Sequence, residues 1–226
     1  MRSFLAFVAV TCFAGVAGAQ QQNPISFDAL AKSKAGQWSE YTMSAKGQQQ
    51  TIKMKYALVA KSDKAAAFEI DSVTPMGPVL LHMAYEPGGA DTWKLVKARM
   101  QIGSNAQDMP AAQLAQGGIK KGDVFGKLLG TEEVKTAVGS YSCKHYQKPL
   151  PAESGAPAGA TVDVWMSDKA LPTGMVKMAD SRGAEAVLTA TGGDAKAKLD
   201  ITAPAAGAAA PAPATAPAPT AAPAKK

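Results

Sequence analysis

Few side chains in this 226-residue chain have the types and spacing that chemistry needs. Cys143 and His145 stand two apart, so a strand through them places both on one face, where they could share a metal ion. A zinc site needs three or four protein ligands, and His82 is the only other soft or borderline donor outside the N-terminal segment, so no metal centre is expected. Trp165-Met166-Ser167-Asp168 sets a serine beside a carboxylate. A serine nucleophile also needs a base within hydrogen-bond reach and an oxyanion hole, commonly built on a G-x-S-x-G elbow, and no such elbow occurs. Leu171-Pro172-Thr173-Gly174 follows directly, so Ser167 and Asp168 read as the start of a turn. No nucleophile–base pair or carboxylate dyad can be placed, and the chain is expected to have no catalytic residue and no cofactor. Cys143 is expected to be buried and inert, with pairing between two chains as the second option.

What remains is apolar chemistry. Nine methionines follow residue 19 (43, 54, 76, 83, 100, 109, 166, 175 and 178) in a chain with only 6% aromatic residues. Methionine is flexible and polarizable, and it suits surfaces that hold varied apolar partners. Met54, Tyr56, Leu58, Phe68, Ile70, Leu81, Met83 and Tyr85 form one stripe if neighbouring strands align, and these eight are the candidate lining of an apolar cavity. The competing reading makes them an ordinary packed core.

The elements that must position this stripe are mostly strands. Ser26 can cap a short helix in which Phe27, Leu30 and Ala31 recur at helical spacing before Gly36. The period then drops to two: Trp38, Glu40 and Thr42 alternate with Ser39, Tyr41 and Met43. Ile52, Met54, Tyr56 and Leu58 oppose Lys53 and Lys55. Lys46-Gly47-Gln48 reads as the turn between these runs. Phe68 and Ile70 oppose Glu69 and Asp71, and Val79, Leu81, Met83 and Tyr85 oppose His82. Glu86-Pro87-Gly88-Gly89 reads as a turn into a strand over Thr92–Ile102. Pro110–Gln116 reads as a short helix ended by Gly117-Gly118, and Val124–Leu129 as another helix or a loop. Strands resume over Val134–Val138, Tyr141–Gln147, Thr161–Ser167, Met175–Ala179, Ala184–Thr191 and Ala195–Ile201, with a loop over Pro149–Gly159 and a turn at Gly192-Gly193-Asp194. The class implied is mainly β: a single curved antiparallel sheet, an incomplete or half β-barrel, of about ten strands with one to three short helices.

The two ends read differently. Arg2, the 13 apolar-rich residues Phe4–Val16 and the small residues Ala17-Gly18-Ala19 have the form of a secretory signal cleaved after Ala19. Lipidation at Cys12 is the weaker alternative, because Ala9-Val10-Thr11 is a poor lipobox. From residue 203 the chain is almost wholly Ala and Pro, which argues for an extended, disordered tail over 203–226 ending in Lys225 and Lys226. Between them, residues 20–202 are the expected β-rich domain. Cleavage removes one basic residue, Arg2, leaving 23 basic and 18 acidic residues, a net charge of +5. Interspersed charge of this size gives no footprint for nucleic acid.

Two stretches carry a family likeness. Gly36-Gln37-Trp38-Ser39-Glu40-Tyr41 opens the strands, and Gly139-Ser140-Tyr141-Ser142-Cys143-Lys144 is followed by Val164-Trp165-Met166-Ser167-Asp168, Pro172, Gly174 and Val176-Lys177. Together they resemble LolA-like bacterial envelope proteins, a group of lipoprotein carriers and their relatives. The resemblance implies a half-barrel with helices over its open side and an apolar concave face that binds a lipid or a lipidated protein. It further implies an exported protein, periplasmic or associated with the outer envelope, acting as a monomer and able to touch a membrane peripherally. The alternative is a structural or adaptor module that works through its surface and the Ala/Pro tail.

Overall fold

The computed structural model describes residues 24–47, 50–74, 77–115, 117–122, 125–150 and 156–199. The signal-like segment and the Ala/Pro tail lie outside the described residues. Twelve strands form one antiparallel sheet: β1 (Trp38–Ala45), β2 (Ile52–Lys61), β3 (Ala66–Thr74), β4 (Gly77–Gly89), β5 (Thr92–Ile102), β6 (Asn105–Asp108), β7 (Ile119–Lys120), β8 (Lys127–Thr136), β9 (Gly139–Pro149), β10 (Thr161–Met166), β11 (Met175–Asp180) and β12 (Ala184–Gly192). Their order is β6-β5-β4-β3-β2-β1-β12-β11-β10-β9-β8, with β7 pairing β5. The sheet is open, ending at β6 and β8, and it is built of two meanders, β1 to β6 and β8 to β12, joined where β1 pairs β12. This is the expected fold class. Curling brings edge strand β8 back to β11 and β12, which stand three and four places away in the order.

Helix α1 (Phe27–Lys32) starts where the sequence says it should, with the Ser26 hydroxyl accepting from the Ala29 amide at 3.4 Å. It stops at Lys32, well before Gly36, because Lys61 closes its C-terminal end: the ammonium donates to the carbonyls of Leu30, Ala31 and Ser33 at 2.7–2.8 Å. Ala29 and Leu30 face the sheet. Gly174 makes room for them with φ +86, since a Cβ there would sit 3.0 Å from that of Ala29. Helix α2 (Ala111–Leu114) is the short helix expected from Pro110.

Three expectations are corrected. The chain does not turn at Glu86–Gly89; β4 continues to Gly89 and the turn falls at Ala90-Asp91, because a register shift between Pro87 and Gly89 lets both stay in the strand. The second half of 124–129 is strand rather than helix or loop. Long β9 needs a partner as far as Gln147, and Lys127 and Leu128 supply it opposite Gln147 and Tyr146. No strand forms over 195–199. The chain leaving Gly192 instead crosses the sheet as a strap, held by the Ala195 amide on the Gly36 carbonyl and by the Lys198 and Leu199 amides on Glu69.

Two apolar clusters share one face of the sheet. One gathers Ile25 and Leu30 with Leu58, Phe68, Met83, Tyr85 and Leu95. The other gathers Tyr41, Met54, Tyr56, Val162, Val164, Met175, Val176 and Leu188. Ile70 touches both. The Tyr41 hydroxyl is deep in the second cluster, paired with Thr173 Oγ1 at 2.5 Å and the Met175 carbonyl at 2.7 Å. Burial pushes its pKa upward.

Candidate functional site

The register fixes what each face offers. On the apolar face, Ile52 pairs Met43, Met43 pairs Ala186, Ala186 pairs Met178, Met178 pairs Val164, Val164 pairs Tyr146, and Tyr146 pairs Leu128. Seven strands therefore contribute one apolar side chain each to an unbroken transverse lane. Six interstrand spacings of about 4.8 Å make it about 29 Å long, measured along the sheet. Ala186 and Val164 are buried, while Ile52, Met43, Met178 and Tyr146 are only half-buried and Leu128 is 52% exposed. A second row, Tyr56, Ile70, Leu81 and Met100, runs across β2 to β5, and its last three members are also half-buried.

The eight residues of the predicted stripe do share this face, but they are not equally open. Leu58 and Phe68 are fully buried, Tyr85 is 1% exposed, and Phe68 and Tyr85 meet edge to face at 6.2 Å. Met54, Tyr56 and Met83 are also buried, leaving Ile70 and Leu81 half-buried. The open part of the face is the lane through Met43, Met178 and Tyr146, which was not singled out from the sequence. The alternation in each strand was visible there. The pairing of β1 with β12, which joins the strands into one row, is too distant in the chain to read from local pattern.

Next to Tyr146 on the same face, Lys148 packs opposite Val162. It is half-buried and, among the described residues, its side chain forms no hydrogen bond or ion pair. Burial pushes its ammonium down to about 8. The nearest acid in its row is Asp180, paired with Val162, and Asp180 is already engaged by the Arg182 guanidinium at 2.7–2.8 Å and by the amides of Arg182 and Ala184.

The opposite face is polar. Glu69, His82, Arg99 and Asp108 stand in register across β3 to β6. All but Asp108 are buried. The strap covers this row: the amides of Lys198 and Leu199 donate to Glu69 at 2.8–2.9 Å, and His82 Nδ1 lies 3.0 Å from the same carboxylate. Burial alone would raise the Glu69 pKa, but the hydrogen bonds from His82 and the two amides outweigh it and hold the carboxyl below its ordinary value. Upstream, Trp38 lies over Gly192, donates to Asp194 at 2.8 Å and carries the Lys55 ammonium 3.9 Å above its ring.

Further along the polar face, Trp165 is sandwiched by His145, stacked at 4.4 Å, and Lys177, 5.1 Å from the ring centre. His145 lies 2.8 Å from Asp163 and 3.2 Å from Glu132, and Glu132 also accepts from the Trp165 indole. An open cleft of about 380 Å³ lies here, bounded by Glu132–Lys135 of β8, Trp165, Lys177, Glu185 and Val187. Both His145 nitrogens are occupied by carboxylates, so neither is free to act as a base toward an outside substrate. Cys143 does not join His145: it is fully buried, its thiol turned to the Tyr141 carbonyl at 3.5 Å and pushed up to about 11, mainly by burial. Among the described residues no group of three His, Cys, Asp or Glu side chains is arranged to hold a metal. Ser167 and Gly174 close a backbone loop at 2.7 Å, and Asp168 pairs with Lys32 of α1 at 2.7 Å, as a turn requires.

No family model matches the chain, and no curated protein matches it. Solved structures with a similar course include the hypothetical protein CT021 from Chlamydia trachomatis (9% identity, 75% of this chain and 93% of that one, TM-score 0.46). A candidate exported protein with a YmcC-like fold from Bacteroides fragilis is also similar (10%, 71% and 97%, 0.41). So is a candidate lipoprotein from Parabacteroides distasonis (12%, 76% and 99%, 0.37). Likenesses this distant carry no inference about ligand or activity.

Proposed function

We propose that this chain is a non-enzymatic, exported protein of the bacterial envelope that holds a lipid or an acylated partner non-covalently along the apolar lane. The observation that carries this reading is the unbroken apolar row from Ile52 to Leu128, five of whose seven members, all but Ala186 and Val164, are left partly or largely uncovered. Met43, Met178 and Tyr146 pack against the core yet stay partly open, and a bound acyl chain would complete their burial. Each methylene taken from water contributes about 0.8 kcal/mol, so a single chain of ordinary length suffices for measurable binding. The secretory form of residues 1–19 supports export, and the resemblance to LolA-like carriers points to the same class of ligand. Native mass spectrometry after mild extraction, with displacement of a fluorescent fatty acid, tests the reading. A 1:1 adduct and displacement are expected, both weakened by Met178→Glu; no adduct and no displacement would overturn it.

The strap favours a second reading. It delivers the chain at Leu199 onto the polar face, opposite the lane. In that reading the tail recruits another envelope component. Pull-down with and without residues 203–226 separates the two: loss of every partner on truncation supports the adaptor, and retention excludes it.

A further inference from the structure

We infer that Lys148 is the head-group anchor of the lane and that the ligand is therefore a single-chain anionic amphiphile, a fatty carboxylate or a lipid phosphate. The inference rests on the lane reading and adds the charge of its occupant. Lys148 is the next residue after Tyr146 on the apolar face of β9, so it stands one position outside the row that ends at Leu128. Val162 stands opposite it, and the Phe125 ring packs at 5.8 Å on Tyr146, the preceding residue of the same face. The Gly126 backbone passes so close that a Cβ there would come within 2.7 Å of the Lys148 Cβ, so the stem cannot swing freely on that side.

An ammonium held beside apolar surface loses hydration and needs an anion in exchange. None is supplied among the described residues. Asp180, in the same row, spends one oxygen on Arg182 and the other on two backbone amides, and Lys148 is unpaired among the described residues. An acyl chain lying along Met178, Val164 and Tyr146 would bring its head to this end of the row, where a carboxylate or phosphate could accept from the ammonium. Neutral amphiphiles would gain the apolar contact but not that bond.

The test uses the mature chain with three 16-carbon probes (hexadecanoate, hexadecyl phosphate and hexadecanol) and compares the native protein with Lys148→Met and Lys148→Arg. Lys148→Met keeps the packing, and circular dichroism confirms the fold. A charge-assisted bond predicts that Lys148→Met weakens both anionic probes by about tenfold or more and leaves hexadecanol unchanged, while Lys148→Arg retains most of the affinity. Tighter binding of one anion over the other identifies the head group. Equal effects on charged and neutral probes, or none, would overturn the anchor and leave the lane standing. Binding of none of the three would overturn the lane and the anchor together.

Discussion

Glu69→Ala should release the C-terminal strap. The Glu69 carboxylate is 3% exposed and gathers the Lys198 amide, the Leu199 amide and His82 at 2.8–3.0 Å. Hydrogen bonds to a charged acceptor contribute about 1.5–3 kcal/mol each when the partners stay buried, but a strap can peel away and rehydrate its amides. Peeling forfeits the cover over Leu199 and the Lys198–Asp71 pair at 2.5 Å instead. The smaller loss governs, so about 3 kcal/mol is expected, a fall in Tm of about 6–12 °C for a domain of this size. Glu69→Gln keeps one acceptor and should lose about half. The sign with pH follows from the lowered carboxyl pKa: the contribution is complete above the unfolded carboxyl value of 4.5 and is lost as pH falls through the folded value. Urea unfolding should therefore separate the native and Glu69→Ala proteins at pH 7 and bring them together in acid, while amide exchange should show Lys198 and Leu199 opening in the variant. Unchanged midpoints with both amides still protected would refute the reasoning.

Other substitutions read single contacts. Gly192→Ala would put a Cβ 2.5 Å from Cζ2 of Trp38, forcing the indole off Asp194 and Lys55; a loss of about 1–3 kcal/mol in thermal unfolding is expected, with altered tryptophan fluorescence. Lys148→Met should stabilise the chain below about pH 8, where the folded state must keep a poorly hydrated ammonium, and the gain should disappear as pH rises toward 10.5. Melting curves across that range check it. At pH 8, with its thiol near 11, only about a thousandth of Cys143 is thiolate, so a disulfide reagent should label it promptly only in denaturant, and non-reducing electrophoresis should show a monomer band.

Local pattern was enough for most of the sheet. Alternation located β1, β10, β11 and β12 to within a residue or two, and Ser26 marked α1, because these signals are written in neighbouring residues. The strap was not legible as such: Ala195–Ile201 alternates like a strand, and what draws residues 195–199 away is their bonding to Gly36 and Glu69, which lie far back in the chain. Glu69 and His82 showed only as polar positions in amphipathic strands, since nothing local says that residues 198 and 199 return to cover them. The site was half legible for the same reason. Leu58, Phe68 and Tyr85 have the right face but sit beneath α1 and beside one another, and the open lane appears only when Met43, Met178 and Tyr146 are brought into one row by pairings that span the chain.

Photo-crosslinking with a fatty acid carrying a diazirine at mid-chain, followed by peptide mapping, tests the central claim most directly. The lane predicts labelled peptides containing Met43, Met178 and Tyr146, lost on competition with unlabelled fatty acid. Labelling confined to the polar face or the strap, or labelling that competition does not reduce, would contradict it.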